Sequence, residues 1–247
     1  GPGNDTVHGG DGNEYIAASY GADIIYGEGG NDQIFIETPD NADDVAYGGD
    51  GNDYIVASRF NTGGTDSIYG GAGSDTILGG PNLYVDGGSG AGETDYLSFD
   101  QDSSVGAHVV FTATGQGTAT IAGGVTTFID IEHIGGNASN DTVDATLDTG
   151  GLRVTTGAGS DIVIGGTGND TFIFLKNEGH DKVADFAAGA AKSDVIQLDK
   201  SVLANFNDVL SNATDSANGV VIDYGAGSIT LTGVDKADLH ANDFLFL

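Results

Sequence analysis

Gly48-Gly-Asp-Gly-Asn-Asp53-Tyr-Ile-Val56 is the stretch on which the fold turns. Its first six residues read as a loop and its last three as a strand. Glycine tolerates the positive φ values that a tight loop demands, and the aspartate adds a short carboxylate. The Tyr-Ile-Val tripeptide is a very short strand whose middle residue faces inward. The pattern returns at Gly70-Gly-Ala-Gly-Ser-Asp75-Thr-Ile-Leu78 and at Gly165-Gly-Thr-Gly-Asn-Asp170-Thr-Phe-Ile173. All three obey G-G-x-G-x-D-x-U-x, where U is a large apolar residue, and a fixed short period marks a repeat architecture.

Weaker copies keep the register. Residues 9–17 carry Glu14 where Asp is expected; residues 18–26 keep Gly21, Asp23 and Ile25; residues 27–35 keep Asp32 and Ile34. Asp5, Asp44, Asp66, Asp95, Asp141 and Asp161 occupy the same position in looser copies. Val7, Ile16, Ile25, Ile34, Ile55, Ile68 and Ile77 are then expected to stack as an inner column. With two nonapeptides to a coil turn, loops two repeats apart share one edge. Loops ending in Glu14, Asp32, Asp53, Asp75 and Asp95 form a regular, glycine-rich edge. Those ending in Asp5, Asp23, Asp44 and Asp66 form a degenerate one, which also takes the extra residues 36–38 and 57–60.

Such loops expose backbone carbonyls beside a carboxylate, an oxygen-only donor set that suits a hard cation such as Ca²⁺. Mg²⁺ fits less well, because it demands a smaller octahedron and keeps its waters. The candidate donors are the carboxylates just named with Asp170, and the first and third loop positions: Gly9 and Asp11, Gly27 and Gly29, Gly48 and Asp50, Gly70 and Ala72, Gly87, and Gly165 and Thr167. Several ions are expected, each between two stacked loops, with the better-occupied sites on the regular edge and Glu14 reshaping the one it joins.

Composition agrees. There are 37 acidic residues against 7 basic ones in 247, a formal charge of −30, and such a chain repels nucleic acid and anionic membrane. Glycine supplies 43 residues, well above its usual share of about 7%. The absence of cysteine excludes disulfides and thiolate metal sites. No run reaches the ~20 apolar residues of a membrane-spanning helix. The sequence opens inside a repeat, as expected of a fragment with a domain upstream.

Four regions follow. Residues 1–98 form a first repeat block. Residues 99–134 break the period and read as an antiparallel β insertion, with strands at 107–114, 117–122 and 125–131, packed on or beside the coil. Residues 135–173 form a second block, with a degenerate loop around Asp148. Residues 174–247 form a β-rich cap, with a strand at 194–198, a short helix at 204–210, and a hairpin of 219–224 with 228–232. The expected architecture is all-β. Tyr26, Tyr47 and Tyr69 recur at the end of nonapeptides on one sheet, as strand-face packing or as a stripe for sugars or surfaces.

The nonapeptides resemble the RTX, or hemolysin-type calcium-binding, repeat family. The resemblance implies a parallel β-roll, an RTX nonapeptide solenoid, exported by a type I secretion system and folded by extracellular calcium. Gly179-His-Asp181-Lys-Val183, with Asp185-Phe186, resembles the tail after a last RTX repeat, which adds Asp181 to the donors. Phe244-Leu-Phe-Leu247, after Asp243, resembles an uncleaved C-terminal secretion signal read by that machinery. The implied location is outside, or on the surface of, a Gram-negative bacterium. No His-Glu-x-x-His, P-loop, Gly-x-Ser-x-Gly elbow or EF-hand loop occurs, so the chain is not expected to be an enzyme. It reads as the non-catalytic, calcium-folded module of a larger secreted protein. The alternative is a structural surface protein, an S-layer protein or adhesin, whose self-association calcium would drive.

Overall fold

The computed structural model describes residues 1–36, 41–57, 64–99, 104–176, 179–189 and 194–247. The first block supplies β1 (Thr6–Asp11), β2 (Tyr15–Ala17), β3 (Ile24–Gly29), β4 (Gln33–Ile36), β5 (Val45–Asp50), β6 (Tyr54–Ala57), β7 (Asp66–Ala72), β8 (Thr76–Leu78), β9 (Leu83–Asp86) and β10 (Tyr96–Ser98). Three strands follow, β11 (His108–Ala113), β12 (Gln116–Ile121) and β13 (Gly124–Ile129). The coil resumes with β14 (His133–Gly135), β15 (Thr142–Asp144), β16 (Arg153–Thr155), β17 (Ile162–Ile164), β18 (Thr171–Phe174), β19 (His180–Val183) and β20 (Val195–Leu198). Helix α1 (Phe206–Asn212), β21 (Ala213–Ser216), β22 (Gly219–Asp223), β23 (Ser228–Thr232) and β24 (Phe244–Phe246) complete it.

Strands fall alternately into two sheets, as a two-repeat turn requires. The wide sheet has 14 strands in the order β1-β3-β5-β7-β9-β13-β12-β11-β15-β17-β19-β23-β22-β21, and the narrow sheet 10 in the order β2-β4-β6-β8-β10-β14-β16-β18-β20-β24. Coil neighbours pair in parallel, so each turn repeats the register of the last. On the narrow sheet one unbroken inward column results: Ile16, Ile34, Ile55, Ile77, Leu97, Ile134, Val154, Phe172, Ile196 and Phe244. Ile25, Ala46, Ile68 and Val85 face it from the wide sheet, fully buried. Burying each large side chain stabilises by about 1.5–3 kcal/mol, so this seam is the apolar support of the whole roll.

The insertion does not pack on or beside the roll as its sequence suggests; it is part of the wide sheet. β11 leaps forward to pair in parallel with β15, β12 returns antiparallel, and β13 pairs in parallel with β9. On the narrow sheet β10 meets β14 directly. Two added strands at about 4.8 Å each lengthen one sheet alone, so the roll must curve there. Gly117 lies in register between Phe111 and Phe128. Lacking a side chain, it lets the two buried rings meet edge to face at 5.1 Å.

The cap repeats the device. β21, β22 and β23 stand beside β19 in the same relative order, and β20 meets β24 directly. The coil thus runs on beyond residue 173 into the C-terminal region. Helix α1, its N-terminus capped by the Asn205 side chain, buries Val209 against the core. Of the extra residues expected on the degenerate edge, 37, 38 and 58–60 lie outside the described residues.

On the outer face of the wide sheet His8, Tyr26, Tyr47 and Tyr69 stack at centroid spacings of 4.8, 5.0 and 4.8 Å, within 11° of parallel. Their faces are spent on one another, which leaves edges rather than faces toward solvent. Packing, not a flat sugar platform, accounts for the stripe.

The alternation of burial along β6 makes a direct test. Ile55→Ala empties a fully buried position and is expected to cost about 2–5 kcal/mol. Tyr54→Ala, one residue earlier on the outer face, should cost under about 1 kcal/mol. Denaturant melts of the calcium-saturated protein read both, and equal losses would contradict this register.

Candidate metal-binding loops

Each loop brings its carboxylate into line with the one a turn away. On the regular edge the amide of Glu14 donates to Asp32 Oδ1 at 2.8 Å, that of Asp32 to Asp53 at 2.8 Å, that of Asp53 to Asp75 at 2.7 Å, and that of Asp75 to Asp95 at 2.8 Å. The amide of Asp95 donates to Glu132 Oε2 at 3.0 Å, so the ladder crosses into the turn that closes the insertion. A second ladder runs the opposite way one residue earlier. Asn13 Oδ1 accepts from Asn31, Asn31 from Asn52, Asn52 from Ser74, and Ser74 Oγ from Thr94, at 2.8–2.9 Å. Sequence reasoning missed Glu132 and this Asn/Ser row; the residue recurring before each aspartate was the available signal.

The degenerate edge is built alike. Amides of Asp5, Asp23 and Asp44 donate to Asp23, Asp44 and Asp66 at 2.8–3.0 Å. In the second block Ala107, Asp141 and Asp161 donate to Asp141, Asp161 and Asp181 at 2.6–3.1 Å. On the other edge Leu152 and Asp170 donate to Asp170 and Asp194 at 2.9 and 3.1 Å. Each edge is interrupted once, beside the insertion, by a buried leucine at the carboxylate position. Leu83 stands opposite Asp66, and Leu152 follows Glu132. There Thr126 Oγ1 accepts the Leu83 amide at 3.2 Å, and the insertion turn satisfies Asp148 through the Gly115 amide at 3.3 Å.

At six ladder positions among the described residues the second carboxylate oxygen is left over, whereas Asp141 Oδ2 and Asp194 Oδ2 accept the amides of Asn137 and Ala187. Glu14 Oε2 and the Oδ2 atoms of Asp32, Asp53, Asp75, Asp161 and Asp181 are buried with no hydrogen-bond partner. Asp53 Oδ2 faces the buried Gly48 and the carbonyl of Gly70 a turn away. A β-carbon on Gly48 would lie 2.2 Å from the first and 2.4 Å from the second, so no side chain fits there. Gly27 and Gly70 stand in the same relation to Asp32 and Asp75. At the third loop position the side chains of Asp11, Asp50, Ala72 and Thr167 point to solvent, leaving only backbone there for an ion. The carbonyls of Gly29, Asp50 and Ala72 accept amides of the previous turn at 2.6–2.7 Å and keep a second lone pair. Gly9, Gly87 and Gly165 hold the first position in their loops, as expected.

Electrostatics point the same way. Burial, then neighbouring carboxylates, push Asp75 up to about 6 and Asp95 up to about 7. In the second block burial raises Asp141 to about 6 and Asp170 to about 7. Asp161 and Asp181 face one another and are both raised, chiefly by burial. Among the described residues no lysine or arginine forms a salt bridge with the open carboxylates. No three His, Cys, Asp or Glu side chains cluster there, so carbonyls must make up most of any donor set. One or two carboxylates with glycine carbonyls fit a hard cation of Ca²⁺ type and suit neither zinc nor copper.

The family model for the RTX calcium-binding nonapeptide repeat matches in four copies, at residues 1–34, 40–61, 62–81 and 153–173. The chain therefore carries RTX calcium-binding repeats on a parallel β-roll. No curated protein matches it. Among solved structures, the extracellular lipase LipA from Serratia marcescens aligns at 18% identity and a TM-score of 0.37, over 92% of this chain and 45% of that one. The chain thus spans about half the length of that structure.

A raised carboxyl in the folded state means that folding takes up protons. Stability from this source is complete below the unfolded value near 3.8 and is lost as pH rises through about 6–7. Acidification from about pH 8 to about pH 5 should therefore lower the calcium concentration needed to reach a given fraction of folded chain, read by circular dichroism, unless weaker calcium binding by the protonated carboxyls offsets it; in chelator the same change should favour the folded state. A smaller folded fraction in chelator at the acidic end would show that the open carboxylates are not the source of strain. Gly48→Ala should weaken calcium binding by driving a methyl group against Asp53 and Gly70, while the core column is kept; calorimetric titration reads it.

Proposed function

We propose that this chain is the calcium-driven folding module of a larger secreted protein, itself non-catalytic. One observation carries the reading: rows of aligned carboxylates in which Glu14, Asp32, Asp53, Asp75, Asp161 and Asp181 each keep a buried oxygen with no hydrogen-bond partner, and no compensating side-chain cation among the described residues. A protein that builds such rows is incomplete without a cation. Each bound ion neutralises carboxylates and ties two turns together, so that binding free energy becomes folding free energy. The first and third loop positions, through their carbonyls, and the carboxylates of the ladders would hold the ions.

The level of calcium would set the state. Extracellular modules bind at roughly 10⁻⁴–10⁻³ M, far above cytosolic free calcium. Inside the cell the loops stay empty, and a formal charge of −30 keeps the chain expanded for export through a narrow type I channel. Outside, tenfold excess over the dissociation constant adds about 1.4 kcal/mol per site, and a solenoid spreads order between neighbouring turns. The C-terminal residues would act twice. Unfolded, Asp243 to Leu247 is the segment presented to the machinery; folded, Phe244–Phe246 becomes the edge strand β24 and closes the narrow sheet. Residues 174–247 are thus both cap and leading end. In the first block the open oxygens lie on the edge of Glu14, Asp32, Asp53 and Asp75, which supports calcium filling that edge first.

Far-UV circular dichroism of the chain in chelator, then titrated with Ca²⁺ and separately with Mg²⁺, tests the proposal. A cooperative gain of β signal with Ca²⁺ alone is expected, and Asp53→Asn should shift its midpoint to higher calcium. A chain already fully folded in chelator would reduce calcium to a stabiliser and favour a constitutive surface role.

A further inference from the structure

The fifth loop of the regular edge departs from its neighbours. Gly87-Gly-Ser-Gly-Ala-Gly-Glu-Thr-Asp95 spends nine residues where Gly70 to Asp75 spends six. Both ends nevertheless hold register: the amide of Gly71 donates to the carbonyl of Gly87 at 3.1 Å, and Asp95 Oδ1 accepts from the amide of Asp75 at 2.8 Å. The surplus is therefore looped out, and it contains a carboxylate absent from the repeat pattern. Glu93 folds back over Gly90, where a β-carbon would overlap its carboxylate at 1.8–2.1 Å. Its Oε2 is buried and has no hydrogen-bond partner.

Resting on the calcium reading above, we propose that Glu93 is an additional, non-repeat ligand to the ion held between the 70–75 and 87–95 loops, and makes that site the tightest of the first block. The cradle is already present: Asp75 is 1% exposed, its Oδ2 is unpartnered, and the carbonyl of Gly87 lies beside it across Gly70. The Glu93 charge bears on both Asp75 and Asp95, which are joined through the Asp75 amide. Calcium takes 6–8 oxygens in flexible geometry, and its affinity rises with the number of charged ligands. Regular six-residue loops offer the cradle no carboxylate beyond the ladder aspartates. The longer loop adds one at the end of the block that abuts β13, where a tightly held ion would fasten the first coil turns to the insertion.

Calorimetric titration of the full chain with CaCl₂ compares wild type, Glu93→Gln and Glu28→Gln. Glu28 is exposed and paired with His8 at 2.8 Å, so its substitution removes the same charge away from the cradle. For Glu93→Gln the tightest class of sites should weaken about tenfold, with the remaining sites and the saturated circular dichroism spectrum unchanged. For Glu28→Gln the isotherm should match wild type. An unaltered Glu93→Gln isotherm, or equal weakening in both variants, overturns the assignment of Glu93 and leaves the calcium reading intact. A wild-type chain that binds no calcium overturns the reading on which it rests.

Discussion

The structure depends on a repeated compromise at the carboxylate. Each ladder aspartate uses one oxygen to accept an amide from the neighbouring turn, and this fixes the loop on which the next strand starts. In Asp32, Asp53, Asp75, Asp161 and Asp181 the other oxygen is withdrawn from water and left open. Parallel coiling repeats the arrangement every turn, near the strand spacing of about 4.8 Å. Like charges at such separation repel by about 3 kcal/mol at the effective dielectric of a protein surface region. The hydrogen bonds that align the roll thus also concentrate its charge. A divalent cation resolves the conflict because it enters from solvent, unlike a lysine, whose long side chain has no room in a loop of glycines.

The two departures from the repeat read as relief from this constraint. Where β11, β12 and β13 widen one sheet, the carboxylate positions pass to Leu83 and Leu152, and the insertion is held by Phe111, Phe128 and the glycine between them. At the C-terminus β21, β22 and β23 make the same excursion, with Val220, Ile222, Ile229 and Leu231 fully buried. Stretches that need cations therefore alternate with stretches that hold themselves by apolar packing. On the proposed reading the second kind nucleates order, and the first propagates it when calcium arrives.

Much of this was legible in the residues. The nine-residue period placed the strands, the inward residues and the division of loops between two edges, but Val7, Ile25 and Ile68 stack on the wide sheet and Ile16, Ile34, Ile55 and Ile77 on the narrow one, two facing columns and not one. The expected hairpin strands at 107–114, 117–122 and 125–131 fell within a residue or two of β11, β12 and β13. Less legible were groups whose role depends on a neighbour a full turn away. Asn13, Asn31, Asn52 and Ser74 looked like variable loop residues until the coil set them in line. Glu132 and Glu93 belong to no repeat, and nothing local marks Glu132 as the acceptor of the Asp95 amide or Glu93 as folding back over Gly90.

The sequence by itself determined the all-β coil, its oxygen-rich loops and the ladder carboxylates that sit in the nonapeptide register, because a period of nine with glycine at fixed positions sets where the chain turns; Glu132 and Asp194 join the ladders from outside that pattern. Tertiary structure alone decided that the insertion joins the wide sheet, that leucines break both ladders beside it, and which oxygens are left open. Those outcomes depend on contacts between residues some 18 to 43 positions apart, which are set by how turns stack and not by any local pattern.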